Sequence, residues 1–334
     1  MATISIGYDS AGDVELILQE STDIDTKKLG NYNLGPSNVK VKQVHLRVSC
    51  EKLISSSQCF RAMLEDSKFR EGSELKKQGH IEIELLEPED EPQPLMLIIG
   101  TLYHENTTAP TSISLSMLYQ VAILVDKFQW HDLMGPMSAS WFMALVQPKF
   151  PDAFSTEVVQ YLWIAWVFGL EACFKKLTRL AMQDNRNPID WKKENTRLPE
   201  RVIDSINQQR QMAFGCIEAT LRKFRGHILL PGTIFHNPEQ RQDRTMRGLI
   251  LGCVELSCQD LRLGDFARKD HAGLSIRSVK SSISALESLD GWAVDTCSSG
   301  YRRHFMSIEF WDLKIRLQKT ITELKMEKWG LEYI

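Results

Sequence analysis

Hydrophobic and polar residues alternate along the start of the chain with the period of a β-strand. Residues 12–19 alternate through Val14, Glu15 and Leu16 and then run apolar, which predicts a strand. Residues 20–38 are polar and contain Gly30, Gly35 and Pro36, so they predict a long loop or hairpin excursion. Residues 39–46 alternate with period two and predict the returning strand. A helix is expected from about Ser49, whose hydroxyl can cap it, with Glu51 in the favoured first turn. Its apolar positions, Leu53, Ile54, Phe60, Met63 and Leu64, are helix-spaced. Residues 80–85 put Ile81, Ile83 and Leu85 on one face of a further strand, leaving Glu82 and Glu84 to face water.

From there the period changes. Residues 87–94 are acidic and Pro-bearing and predict a turn. Helices are expected over 95–103, 114–128 and 131–145, punctuated by Pro148 and Pro151. Strand–strand–helix–strand–helices is an α+β order, a small sheet flanked by a helical cluster, and not an alternating βαβ layout. Residues 155–184 predict one or two helices too apolar to stand alone, and the polar stretch 185–197 with Pro188 marks a boundary. A long helix over 198–224, a loop over 226–245 and shorter helices over 249–263 and 275–289 follow. The chain closes on 307–329, where Ile308, Trp311, Ile315, Leu317, Ile321 and Leu324 form a broad apolar stripe.

Length and composition set the frame. A chain of 334 residues is long for one core, so two domains are expected. At 43% hydrophobic and 25% charged it can bury a sizeable core, which excludes global disorder. The longest apolar run, residues 161–170, would rise about 15 Å as a helix, half the roughly 30 Å of a bilayer core, so it predicts a buried helix and no membrane partner. Seven cysteines at irregular spacing, with no secretory signal before them, point to reduced thiols and an intracellular setting, cytoplasmic or nuclear. Residues 1–185 carry 16 Lys and Arg against 24 Asp and Glu, a net of −8, while residues 186–334 carry 24 against 19, a net of +5. An acidic first half and a modest, interleaved basic excess in the second argue against nucleic acid as a partner.

The search for chemistry returns little. Cys253 and Cys258, with His271 further on, lack the second short-spaced ligand pair of structural zinc, and five residues of helix would turn the two thiols well apart. His227 and His236 flank a Pro-Gly turn with no carboxylate nearby in sequence to orient them. No G-x-S-x-G elbow and no phosphate-cradling glycine loop occurs. The chain is therefore expected to be no enzyme, with no catalytic residue, no metal and no cofactor.

Several motifs in one order carry a resemblance. Residues 46–53 (Leu-Arg-Val-Ser-Cys-Glu-Lys-Leu) followed by Ser57-x-x-Phe60 look like the BTB/POZ pattern of a second strand leading into a helix. Residues 69–72 (Phe-Arg-Glu-Gly), Ile81-x-Ile-x-Leu85 and residues 121–128 follow in that family's order. The chain most closely resembles the BTB-domain proteins of filamentous fungi, whose Trp-rich helix is similar to residues 163–170 and 174–179 here. The resemblance covers residues 12–184. It implies a BTB/POZ domain at 12–147, a Trp-rich helical extension at 148–185 and a helical C-terminal domain of unassigned role at 186–334.

The implied function is binding of other proteins, as an interaction module or scaffold. A sharper alternative is a substrate adaptor for a cullin-type ubiquitin ligase, in which Phe69, Arg70 and Glu71 stand where similar adaptors carry a hydrophobic-x-Glu triplet that docks the cullin. The two differ by whether Phe69 and Glu71 are exposed or Phe69 folds back over its own core. An enzyme housed in residues 186–334 would need a concave pocket with convergent polar groups. Related strand-swapped dimers place a long amphipathic helix ahead of the first strand. Residues 1–11 offer only Ile4 and Ile6 as aliphatics heavier than Ala, so no strand-swapped homodimer is expected.

Overall fold

The computed structural model describes residues 2–19, 41–65, 68–87, 90–103, 110–148, 150–190, 197–230, 241–260, 271–285 and 313–332. The predicted excursion over 20–38 and the candidate His236 lie outside them. The protein is mixed α+β, mostly helical with one four-stranded sheet. It divides into two compact units, Met1–Pro151 with Val159–Glu171, and Asp152–Val158 with Ala172–Ile334. Among the described residues no helix is long and apolar enough to cross a membrane.

The first unit is built on strands β1 (Ala2–Gly7), β2 (Val14–Gln19), β3 (Val41–Val48) and β4 (Ile81–Leu85), in the order β1-β3-β2-β4. β2 and β3 run antiparallel with Leu16 opposite Leu46, and β4 runs parallel to β2 with Ile83 opposite Leu16. The alternation read in the sequence sets the faces. Val14, Leu16, Leu18, Val44, Leu46, Val48, Ile81, Ile83 and Leu85 are all buried, while Glu15, His45, Arg47, Glu82 and Glu84 belong to the opposite, open face. β1 is an addition to the expected set. Thr3-Ile4-Ser5-Ile6 alternates too, and Ile6 is buried where β1 runs parallel to β3.

The helix expected from Ser49 is two helices, α1 (Cys50–Ser56) and α2 (Gln58–Glu65), because Ser57 is extended at φ −135°. Ser49 makes no side-chain cap; the Asp13 carboxylate accepts from the Cys50 N–H at 2.6 Å instead, and the Ser49 N–H donates to the Tyr103 hydroxyl. The Ser57 hydroxyl accepts from the Phe60 N–H at 3.0 Å and donates to the Phe128 carbonyl, so one side chain caps α2 and ties it to a distant helix end. Helix α3 (Arg70–Gln78) then closes on Gly79 in the left-handed region at φ 71°.

Helix α4 (Pro92–Leu102) begins inside the predicted turn, since proline fits a first helical turn whose N–H groups have no intrahelical acceptor. Helices α5 (Leu115–Phe128), capped by Ser114 onto the Met117 N–H, and α6 (His131–Val146) match the periodicity closely. The core they complete includes Phe60, Leu95, Ile98, Leu118, Val121, Phe128 and Trp130, none more than 2% exposed. Helix α7 (Thr156–Val167) adds Tyr161, whose ring meets Phe142 edge-on at 5.7 Å.

The second unit contains α8 (Glu171–Asp184), the 30-residue α9 (Glu200–Leu229), α10 (Arg241–Asp260), α11 (Ile276–Ala285) and α12 (Leu313–Glu323), followed by a 3-10 turn at Met326–Lys328. Every third or fourth residue of α9 is buried, through Ile206, Ala213, Phe214, Ile217, Leu221 and Phe224 to Ile228, and α10, α11 and α12 supply Val254, Val279, Ile283, Leu317 and Ile321 to the same core. Ile315, expected in the closing stripe, is 43% exposed. Arg210 of α9 is 1% exposed and donates to the carbonyls of Asn185, Arg186, His271 and Leu274, pinning two non-helical segments to the helix. Such a cation is tolerated inside because its donors are met by acceptors.

Candidate protein-docking site and a polar cluster on the open sheet face

Phe69, Arg70 and Glu71 do not lie on a plain loop. Phe69 is the N-cap of α3, and Arg70 and Glu71 form its first turn. Glu71 is acidic at a helix start, the end of the macrodipole that favours negative charge. Arg70 points along the helix surface, its Nε donating to Glu74 Oε1 at 2.8 Å, four residues on. Only Gly72 of α3 is buried, which is why this helix escaped a search for apolar periodicity. Phe69 itself is 49% exposed, so it does not fold back over the core. A half-exposed aromatic ring beside one basic and one acidic side chain can anchor in an apolar pocket while the charges fix register.

A second constellation was not legible in the sequence. Glu15 of β2 and Glu82 of β4 are direct partners in register on adjacent parallel strands, so two carboxylates share one place on the open face. His80, just before β4, brings Nε2 to 3.9 Å from Glu15 Oε2. One ligand atom each from Glu15, His80 and Glu82 lies within 4.8 Å of the others. His45 of β3 donates from Nδ1 to Glu15 Oε1 at 2.9 Å, and its buried Nε2 has no hydrogen-bond partner among the described residues. Glu15, His45, Arg47 and His80 line a cleft of about 430 Å³ together with Ser5, Ile6 and Gly7 of β1.

Of the remaining candidates that are described, Cys258 and His271 are buried and His227 is exposed. Cys258 is fully buried, and burial, its main influence, pushes its thiol up to about 11 despite nearby Arg225. Such a thiol is a poor nucleophile at neutral pH. The side chain of Cys253 is outside the described set. His271 is buried in the second unit, its ring stacked on Phe214 at 4.5 Å and its Nδ1 donating to Gln211 Oε1 at 3.0 Å. His227 is exposed in the last turn of α9. No family model matches the sequence, and neither a curated protein nor a solved structure matches it.

Proposed function

We propose that this chain is a protein-interaction module of the BTB/POZ type, working as a scaffold through its first unit. The exposure of Phe69 at the start of α3 carries the reading, because a large aromatic half in water beside Arg70 and Glu71 is the chemistry of an interface anchor. The element order of the first unit from β2 onward, two paired strands, three short helices, a strand and then a run of helices, supports it as well. That order agrees with the one the BTB/POZ resemblance implies.

A sharper version follows from the same residue. The cullin adaptor and the plain scaffold differ by whether Phe69 and Glu71 are exposed; Phe69 is exposed and Glu71 half-buried, which supports the adaptor, with the second unit recruiting a substrate. Proximity labelling with the intact chain, comparing wild type with Phe69→Ala, tests both versions. Enrichment of cullin-ligase subunits that is lost in the variant supports the adaptor. A partner set without ligase subunits that still depends on Phe69 supports the scaffold alone, and a partner set indifferent to Phe69 removes the site.

A further inference from the structure

The strongest unexplained feature of the molecule is the place where Glu15 and Glu82 meet. Like charges directly opposite on neighbouring strands are destabilising, and a cation bound beside them relieves the repulsion. Arg47 stands opposite Glu15 on β3 and His45 lies 2.9 Å from it, while Glu82 is grouped with Glu15 and His80. His80 approaches Glu15 at 3.9 Å, longer than a hydrogen bond, so it does not close an ion pair of good geometry. The same 3.9 Å suits two ligands that each reach about 2.0–2.2 Å to a shared ion at a wide angle. His45 meanwhile fixes the orientation of Glu15 by a 2.9 Å hydrogen bond, the role that outer partners of a ligating carboxylate play.

We propose that Glu15, His80 and Glu82 form a binding site for a divalent first-row transition metal ion on the open face of the sheet, with His45 positioning Glu15. One imidazole and two carboxylates are borderline-to-hard ligands, which select zinc and its neighbours over copper(I) or an iron–sulfur cluster. Three protein ligands leave coordination positions open, and the 430 Å³ cleft has room for water or a small anionic group on the ion. Linear spacing conceals the site, since its ligands come from two strands and the residue before one of them.

The test is calorimetric titration of the chelator-treated full-length chain with zinc chloride, repeated for His80→Ala, Glu82→Gln and His45→Gln. Wild type is expected to take up one equivalent. His80→Ala and Glu82→Gln are expected to weaken binding by at least about tenfold, and His45→Gln by about 10–100-fold as an outer-shell loss. Both ligand variants sit on the surface, so circular dichroism matching wild type keeps the comparison valid. Cobalt-loaded protein is expected to show no thiolate charge-transfer band. No uptake by wild type, uptake indifferent to His80 and Glu82, or a thiolate band from a cysteine site would each overturn the proposal.

Discussion

Phe60 and Phe128 stack with ring centroids 5.1 Å apart and planes 20° from parallel, while Ser57, three residues before Phe60, donates to the Phe128 carbonyl. Trp130 completes the cluster, 5.5 Å from Phe60 and 5.1 Å from Phe128. The Ser-x-x-Phe motif thus ties the end of α5 to the start of α2 by one hydrogen bond and one stacked pair. Aromatic pairs of this geometry contribute beyond their buried area.

Phe60→Ala is therefore expected to cost about 3–5 kcal/mol, the range for a fully buried Phe. That is a large share of the roughly 5–15 kcal/mol that holds a typical domain. Chemical denaturation measures it, and a loss below about 1 kcal/mol would contradict this packing.

Arg210→Met is expected to destabilise the second unit by at least about 3 kcal/mol. It keeps the aliphatic stem but strips the donors from four carbonyls, two of whose bonds, to His271 and Leu274, are 2.8 Å long and buried, and an unmet buried acceptor costs about 1–3 kcal/mol. Denaturation of the variant with a transition no weaker than wild type would show those carbonyls to be met by water.

The thiols of Cys50 and Cys258 are each raised to about 11 from an ordinary 9.0, in both cases chiefly by burial. The folded state therefore holds those protons at pH values where the unfolded state has released them. Their contribution to stability is fully present below pH 9 and is lost as pH rises through about 11. Denaturation midpoints between pH 8 and 11 should fall with pH, and fall less in Cys258→Ala than in wild type. Equal slopes in the two proteins would contradict the assignment for Cys258.

Gly12→Ala should disturb the turn into β2. A Cβ there would lie 2.8 Å from the backbone oxygen of Val48, which cannot move without shifting β3. A loss of thermal stability is expected, and an unchanged melting temperature would contradict the close approach.

The parts legible in the sequence are those where burial follows a period. Val14 to Leu18, Val44 to Val48 and Ile81 to Leu85 declared their faces, as did the buried positions of α5 and α9. The break at Ser57 carries no proline or glycine and depends on a hydroxyl reaching Phe128, 71 residues away. The cap of α1 comes from Asp13, not from its neighbour Ser49, for the same reason. Helix α3 fully buries only Gly72, so no stripe marked it. Phe69, Arg70 and Glu71 could be singled out because they are contiguous. Glu15 and Glu82 could not, because only strand pairing brings them together.

The most direct test of the docking site at the start of α3, in its adaptor form, is a binding titration between the purified chain and a cullin scaffold, read by surface plasmon resonance, with Glu71→Lys as the paired variant. Reversing a charge at an interface leaves like charges or an unpaired group, while a partly exposed helix-start position tolerates the change in the free protein. Wild type is predicted to bind at micromolar concentration or below, and Glu71→Lys to lose binding while keeping its circular dichroism spectrum and melting temperature. Wild type that shows no association at micromolar concentration, or a Glu71→Lys variant that binds as tightly as wild type, would contradict the adaptor reading of that site.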